Sequence, residues 1–142
     1  MKTIHHVFDI RAPREKVYAA LTTTDGLSGW WTTIVKAEAA VGAVVSFTFA
    51  GDFNPEMRVT ALEPAALVRW ECAGGHEPWA QNTFRFELAD KTGGTTVRFW
   101  QDYARELSDD AYGTYNFNWG YYLDSLRQYC ETGVGKPFRV AA

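Results

Sequence analysis

The sequence has little of what several classes of protein require. Only two of its 142 residues are cysteines, so a disulfide-stapled fold is not indicated, and we expect Cys72 and Cys130 to be buried free thiols. The 14 Lys and Arg residues are outnumbered by 17 Asp and Glu residues and form no basic run, which argues against nucleic acid and anionic membranes as partners. No apolar stretch approaches the roughly 20 residues of a membrane span, and because a strand pattern begins at residue 3 we expect no signal peptide. We therefore predict a cytoplasmic protein.

Motifs for metals, nucleotides and nucleophilic catalysis are also missing. His5 and His6 are neighbours in a strand pattern, so their side chains point to opposite faces. His76 follows two glycines in a loop that we predict to be solvated. Zinc needs three or four convergent ligands, so no metal site is predicted. The sequence contains no phosphate-binding loop and no nucleophile elbow, and we predict no cofactor.

Aromatic residues, by contrast, are abundant and make up 15% of the chain. Between residues 109 and 131, large apolar side chains recur at the spacing of one helical face: Tyr115, Trp119, Tyr122, Leu123, Leu126, Tyr129 and Cys130. A helix with such a stripe needs a sheet to cover it. Its rings either fill the space between helix and sheet or line a ligand pocket, and both interpretations stay open at this point.

The rest of the chain has the pattern of a strand, two short helices and a series of hairpins. Residues 3–10 alternate as a strand, Pro13 opens a helix that is interrupted at residues 22–25, and a second helix runs to about Trp30. Six more strands are predicted at residues 33–38, 43–49, 56–62, 67–72, 82–89 and 95–102. Short loops between them imply antiparallel neighbours. This order predicts a single α+β domain, residues 1–142, with a curved antiparallel sheet of six to seven strands and a long C-terminal helix.

Four segments, in the right order along the chain, resemble the START-like, or SRPBCC, superfamily. Residues 10–22 (IRAPREKVYAALT) resemble its opening strand and helix, and residues 63–71 (EPAALVRWE) resemble a later strand. Residues 26–31 (GLSGWW) and 119–133 (WGYYLDSLRQYCETG) are similar to the branch related to the activator of the heat-shock-chaperone ATPase. The resemblance implies the helix-grip fold of the major birch-pollen allergen and the lipid-transfer START domains.

The resemblance also implies a cavity between the sheet and the C-terminal helix. It places Trp30 and Trp31 near the cavity entrance, and it shows one departure, because Gln101 stands where relatives in this branch often carry a histidine. Trp79 is expected either as a lid residue or as structural cover. The candidate ligand-binding residues are Trp30, Trp31, Phe47, Phe49, Trp70, Phe86, Phe99, Gln101, Tyr115, Trp119, Tyr122 and Leu123.

Three functions fit this reading. The first is the binding of a small hydrophobic or aromatic molecule, lipids included, by a monomer or homodimer. The second is an enzyme, such as a polyketide cyclase, dehydratase or hydrolase, which would use the same cavity; Asp102, Tyr103 and Asn118 are the candidate catalytic residues near its expected mouth. The third, by analogy with the chaperone-ATPase activators, is a protein-interaction role, which predicts an exposed apolar patch rather than a deep pocket.

Overall fold

The architecture was obtained as a computed structural model that describes residues 2–141; Met1 and Ala142, the two ends of the predicted domain, lie outside the described residues. The elements, in chain order, are β1 (Thr3–Ile10), α1 (Arg14–Thr22), α2 (Thr24–Trp30), β2 (Ile34–Lys36), β3 (Val44–Thr48), β4 (Glu56–Glu63), β5 (Leu67–Gly74), a short 3-10 helix (Glu77–Trp79), β6 (Thr83–Lys91), β7 (Gly94–Asp102) and α3 (Asp109–Thr132). The predicted order of strand, two helices, six strands and long helix is confirmed.

The seven strands form one antiparallel sheet in the order β1-β7-β6-β5-β4-β3-β2. Strand β4 shifts its register against β5 twice, between residues 56 and 57 and between residues 59 and 61. Such bulges bend a strand and increase its twist, so they help the sheet curve around the helix. The predicted helix-grip fold is therefore confirmed.

Side-chain alternation directs one face of the sheet toward the helices and the other toward solvent. In β6, Phe84, Phe86 and Leu88 are buried, whereas Arg85 and Glu87 lie on the opposite face and form an ion pair at 3.2 Å. This period of two is the expected pattern of an antiparallel sheet that is covered on one side only.

Helix α3 has sequence-encoded ends. The Ser108 hydroxyl accepts a hydrogen bond from the backbone N–H of Ala111 at 3.1 Å, and Asp109 and Asp110 in the first turn complement the positive end of the helix dipole. At the other end Gly133 has a φ of 85° and donates its backbone N–H to the Tyr129 carbonyl at 2.8 Å. A left-handed residue at this position favours glycine, so the helix stops here.

The chain after α3 folds back onto the sheet, which the sequence pattern did not predict beyond a short tail. We call residues 136–140 the C-terminal strap. The backbone N–H of Phe138 donates to the Trp31 carbonyl at 2.8 Å, and the Phe138 carbonyl accepts from the Thr33 N–H at 3.0 Å. The Lys136 N–H donates to the Ser125 hydroxyl at 2.6 Å. The strap thereby joins α3 to the chain segment between α2 and β2 and holds Phe138 in place.

Candidate functional site

A cavity of about 370 Å³ lies between the N-terminal half of α3 and one end of the sheet. Its volume falls within the range of about 300–1,000 Å³ that is common for small-molecule sites. Five parts of the chain contribute to it: the end of α2, the β3–β4 loop, the segment between β5 and β6, α3 and the C-terminal strap. Its lining residues are Trp31, Phe49, Ala50, Phe53, His76, Trp79, Tyr115, Asn118, Trp119, Tyr122 and Phe138.

Most of the cavity wall consists of aromatic rings that pack against one another. Trp119 of α3 is at its centre, stacked on Trp31 with ring centroids 5.1 Å apart and on Trp79 at 6.1 Å. On the strap side, the rings of Phe49 and Phe138 are 5.5 Å apart. Rings that are fixed by their neighbours lose little conformational entropy when a ligand binds, so this wall is preorganised for an apolar or aromatic molecule.

One end of the cavity is polar. His76 is only 8% exposed, and its Nε2 lies 2.9 Å from the Tyr115 hydroxyl, while its Nδ1 lies 3.3 Å from the backbone carbonyl of Asp52. Burial raises the pKa of Tyr115, and the nearby Asp52 carboxylate raises it further. Asn118 lines the same cavity one helical turn after Tyr115. The cavity therefore combines an aromatic wall with one small group of hydrogen-bonding side chains.

A second set of polar groups lies behind the aromatic wall. The indole N–H of Trp119 donates to the Gln101 side-chain oxygen at 2.7 Å, and both residues are buried. Burial raises the pKa of the Tyr103 hydroxyl, an effect that the facing side chains of Trp79 and Gln101 offset in part. Among residues 2–141, no hydrogen bond of good geometry reaches that hydroxyl, the Trp79 indole N–H or the Gln101 amide nitrogen.

Comparison with known proteins identifies the family. The family model described as activator of Hsp90 ATPase homolog 1-like protein matches residues 11–131, most of the chain. The chain belongs to this family. The resemblance inferred from the four sequence segments is thereby confirmed. No curated protein matches the sequence.

Solved structures of this family and of its fold superpose on the chain. The Aha1 dimer from Colwellia psychrerythraea is 37% identical, with a TM-score of 0.85, and the match covers 95% of this chain and 100% of that one. DynU16, a protein in the dynemicin biosynthetic locus, is 18% identical with a TM-score of 0.79, covering 95% of this chain and 49% of its own. Ara h 8.0201 is 14% identical with a TM-score of 0.71, covering 91% and 97%. The last two show the shared fold alone.

Five of the twelve candidate ligand-binding residues come together around the cavity: Trp31, Phe49, Tyr115, Trp119 and Tyr122. The other seven lie outside the lining, in the core or behind the wall: Trp30, Phe47, Trp70, Phe86, Phe99, Gln101 and Leu123. Neighbours fill the space in front of them. The Trp30 indole donates to the Ala20 carbonyl at 2.8 Å and so faces α1, and Phe86 packs against its cross-strand partner Phe99 with ring centroids 4.9 Å apart.

The three candidate catalytic residues occupy different environments. Asp102 is exposed on the outer side of the sheet, where its carboxylate accepts a hydrogen bond from the Thr3 hydroxyl at 2.7 Å. Tyr103 is buried behind Trp79, and Asn118 lines the cavity. No carboxylate is among the residues that line the cavity as far as residues 2–141 define it. Asp102 and Tyr103, which were predicted to lie near the cavity mouth, therefore do not form a pair of catalytic groups inside the cavity.

The sequence patterns missed several residues of the site. His76 was expected in a solvated loop, and that prediction is wrong, because the ring is buried against Phe53 and Trp79 with centroids 4.7 Å and 5.4 Å away. Phe53 from the β3–β4 loop and Phe138 from the strap were not predicted and line the cavity, as does Trp79, which was expected either as a lid residue or as structural cover. These residues lie in irregular segments, where periodicity carries no information. The one available signal was their aromatic character beside glycine and proline turns.

Two further observations bear on partners and metals. In the described part of the chain, no three His, Cys, Asp or Glu side chains come close enough together to hold a metal ion. None of the helices within residues 2–141 has the length and apolarity to cross a bilayer. Cys72 and Cys130 are both buried and unpaired with each other, and burial raises the pKa of the Cys130 thiol to about 12.

Proposed function

We propose that this protein binds a small hydrophobic or aromatic molecule in the cavity between the curved sheet and the N-terminal half of α3. The single observation that carries the proposal is the cavity itself, about 370 Å³ in volume and walled by stacked rings with one polar end. The affinity would come from burial of apolar surface and needs no ion pair.

The expected affinity follows from the area that the ligand buries. A bicyclic aromatic ring buries on the order of 200 Å², as a tryptophan side chain does. At about 25 cal/mol per Å² this burial supplies about 5 kcal/mol. That free energy corresponds to a Kd on the order of 0.1 mM before the ordering costs of binding are subtracted, so chemical-shift titration, which detects weak binding, is a suitable assay.

The test compares the wild type with two single variants, in each of which one exposed alanine is replaced by tryptophan. Ala50 lines the cavity, so Ala50→Trp places an indole in its mouth, whereas Ala89→Trp adds the same side chain on the exposed part of β6. We expect 2-methylnaphthalene to bind the wild type and Ala89→Trp with similar affinity and to bind Ala50→Trp at least tenfold more weakly. Equal binding to all three proteins, or no binding to the wild type, contradicts the proposal.

For the assembly we propose a homodimer in the cytoplasm. The Colwellia relative, 37% identical over nearly the whole chain, is a dimer, which supports a dimer here. The two free cysteines support a reducing compartment. Sedimentation equilibrium over a hundredfold range of protein concentration tests the assembly. A mass of about 32 kDa, twice the 16.0 kDa of one chain, is expected, and a single monomer mass over the whole range contradicts it.

A further inference from the structure

We propose that His76 and Tyr115 form a polar subsite that selects ligands bearing a neutral hydroxyl group at one end of an aromatic or alicyclic body. This inference rests on the proposed function, because it names the class of molecule that the same cavity takes. Its starting point is the arrangement of three residues: the Asp52 carbonyl oxygen, the two ring nitrogens of His76 and the Tyr115 hydroxyl lie in one hydrogen-bonded series.

The hydrogen bond to the Asp52 carbonyl determines which ring nitrogen of His76 carries the proton. A backbone carbonyl can only accept a hydrogen bond, so the contact of 3.3 Å between the Asp52 oxygen and Nδ1 requires the proton to reside on Nδ1. In the neutral imidazole the other nitrogen, Nε2, is then an acceptor. The Phe53 and Trp79 rings pack against the imidazole, with centroids 4.7 Å and 5.4 Å away, and hold it in this orientation.

The hydrogen bond between Tyr115 and His76 determines whether the tyrosine hydroxyl faces the cavity as a donor or as an acceptor. Because Nε2 is an acceptor, the Tyr115 hydroxyl donates its proton to it across 2.9 Å. The proton is thereby occupied, and the tyrosine oxygen offers only a lone pair to a molecule in the cavity that Tyr115 lines. A ligand group that meets this oxygen must therefore be a donor. A ligand that brings only an acceptor faces a second lone pair and loses affinity.

Two features of the surroundings favour a hydroxyl over a charged donor. The cavity lining within residues 2–141 contains no carboxylate, and the nearby Asp52 side chain is exposed to solvent, so an ammonium group in the cavity would leave water without an opposite charge in direct contact. Asn118, one helical turn from Tyr115, lines the same cavity and carries an amide N–H that can donate. A hydroxyl is both donor and acceptor, so it matches Tyr115 and Asn118 together, whereas an ether or a methyl group matches at most one of them.

The experiment compares three probes of nearly equal size and shape: 2-naphthol, 2-methoxynaphthalene and 2-methylnaphthalene. Dissociation constants are measured at pH 8 for all three probes. For the wild type we expect 2-naphthol to bind about fivefold more tightly than either other probe, the ratio to which one hydrogen bond of average strength corresponds. Equal constants for all three overturn the hydroxyl selection but leave the proposed function standing; absence of binding by all three overturns both.

Two variants separate the role of the pair from that of the cavity wall. Tyr115→Phe keeps the ring and removes the hydroxyl, so the preference for 2-naphthol over 2-methylnaphthalene should fall to about twofold or less. His76→Phe removes the acceptor and frees the tyrosine proton, so binding of 2-methoxynaphthalene should improve relative to 2-naphthol. An unchanged probe ratio in both variants contradicts the inference, and the methylnaphthalene constant in each variant shows whether the wall is intact.

A direct measurement of the tautomer needs no ligand. The ¹⁵N chemical shifts of the His76 ring distinguish the tautomer with the proton on Nδ1 from the one with the proton on Nε2. We expect the Nδ1–H form at pH 8. The ¹⁵N shifts of the His5 and His6 rings in the same spectrum serve as internal references. Observation of the Nε2–H form, or of an imidazolium, overturns the inference even if 2-naphthol binds well.

Discussion

The hydrogen bond between Trp119 and Gln101 should contribute more to the free energy of unfolding than the aromatic surface that Trp119→Phe would remove. In Trp119→Phe the six-membered ring is kept, but the Gln101 oxygen, in a fully buried side chain, loses its partner at 2.7 Å. The Gln101 amide nitrogen already lacks a partner of good geometry within the described chain. An unsatisfied buried group costs about 1–3 kcal/mol, and the smaller ring adds about 1 kcal/mol of lost burial. We expect a loss of about 2–4 kcal/mol in the free energy of unfolding.

A double-mutant cycle isolates the hydrogen bond from the loss of area. Gln101→Leu removes both the acceptor and the unpartnered amide, so the double variant leaves neither polar group stranded. The unfolding free energies from urea titration, followed by circular dichroism because the tryptophan itself changes, should show a coupling of at least about 1 kcal/mol. Tyr121→Phe, an aromatic change on the exposed face of the same helix, should cost no more than about 0.5 kcal/mol. Additive effects within about 0.5 kcal/mol refute the reasoning.

Three further predictions concern glycine, tyrosine and histidine positions elsewhere in the fold. Gly75 and Gly93 both have positive φ, but of the two only Gly75 would place a Cβ against a backbone oxygen, at 1.8 Å. Gly93→Ala should lower the free energy of unfolding by about 1 kcal/mol. Gly75→Ala should lower it by at least about 1 kcal/mol more, as measured by urea titration. Tyr103→Phe should change the unfolding free energy by less than about 1 kcal/mol or raise it, because the buried hydroxyl has no well-formed hydrogen bond within residues 2–141; a larger loss contradicts this. Burial lowers the pKa of His6 in the folded state, so the folded protein binds fewer protons than the unfolded one and stability should fall as the pH drops below about 6.5. The melting temperature of His6→Asn, measured from pH 8 to pH 5, should fall less steeply than that of the wild type.

The sequence allowed the fold to be predicted because its elements carry periodic patterns. The stripe from Tyr115 to Cys130 gave α3 to within one residue, and the turn residues between strands gave the hairpins of the sheet. The sequence of β6 alternates in the same way, with Phe84 and Phe86 on the buried face and Arg85 and Glu87 on the other. Each of these is a local property of the chain, and local properties can be read without coordinates.

The site itself could be predicted only in part, because a strand pattern gives the face of a residue but not its position along the sheet axis relative to other elements. Phe47 and Phe49 share one face of the same strand pattern, yet only Phe49 reaches the cavity, while Phe47 is covered by the Trp31 ring at 4.5 Å. Phe138 reaches the site through the backbone pairing of the strap with Trp31 and Thr33, far away in sequence. His76 is similar, since its partner Tyr115 is 39 residues away.

The indole N–H signals of the six tryptophans test most directly the claim that the cavity binds a small aromatic molecule, since some of these residues line the cavity and others lie away from it. A ¹H–¹⁵N titration with 2-methylnaphthalene should shift the signals of Trp31, Trp79 and Trp119, which line the cavity, with a common dissociation constant. The signal of Trp100, on the outer face of the sheet beneath the Arg85 guanidinium, should stay in place. Shifts confined to Trp100, or no saturable shift of the three cavity signals, would contradict the account of this cavity as a ligand site.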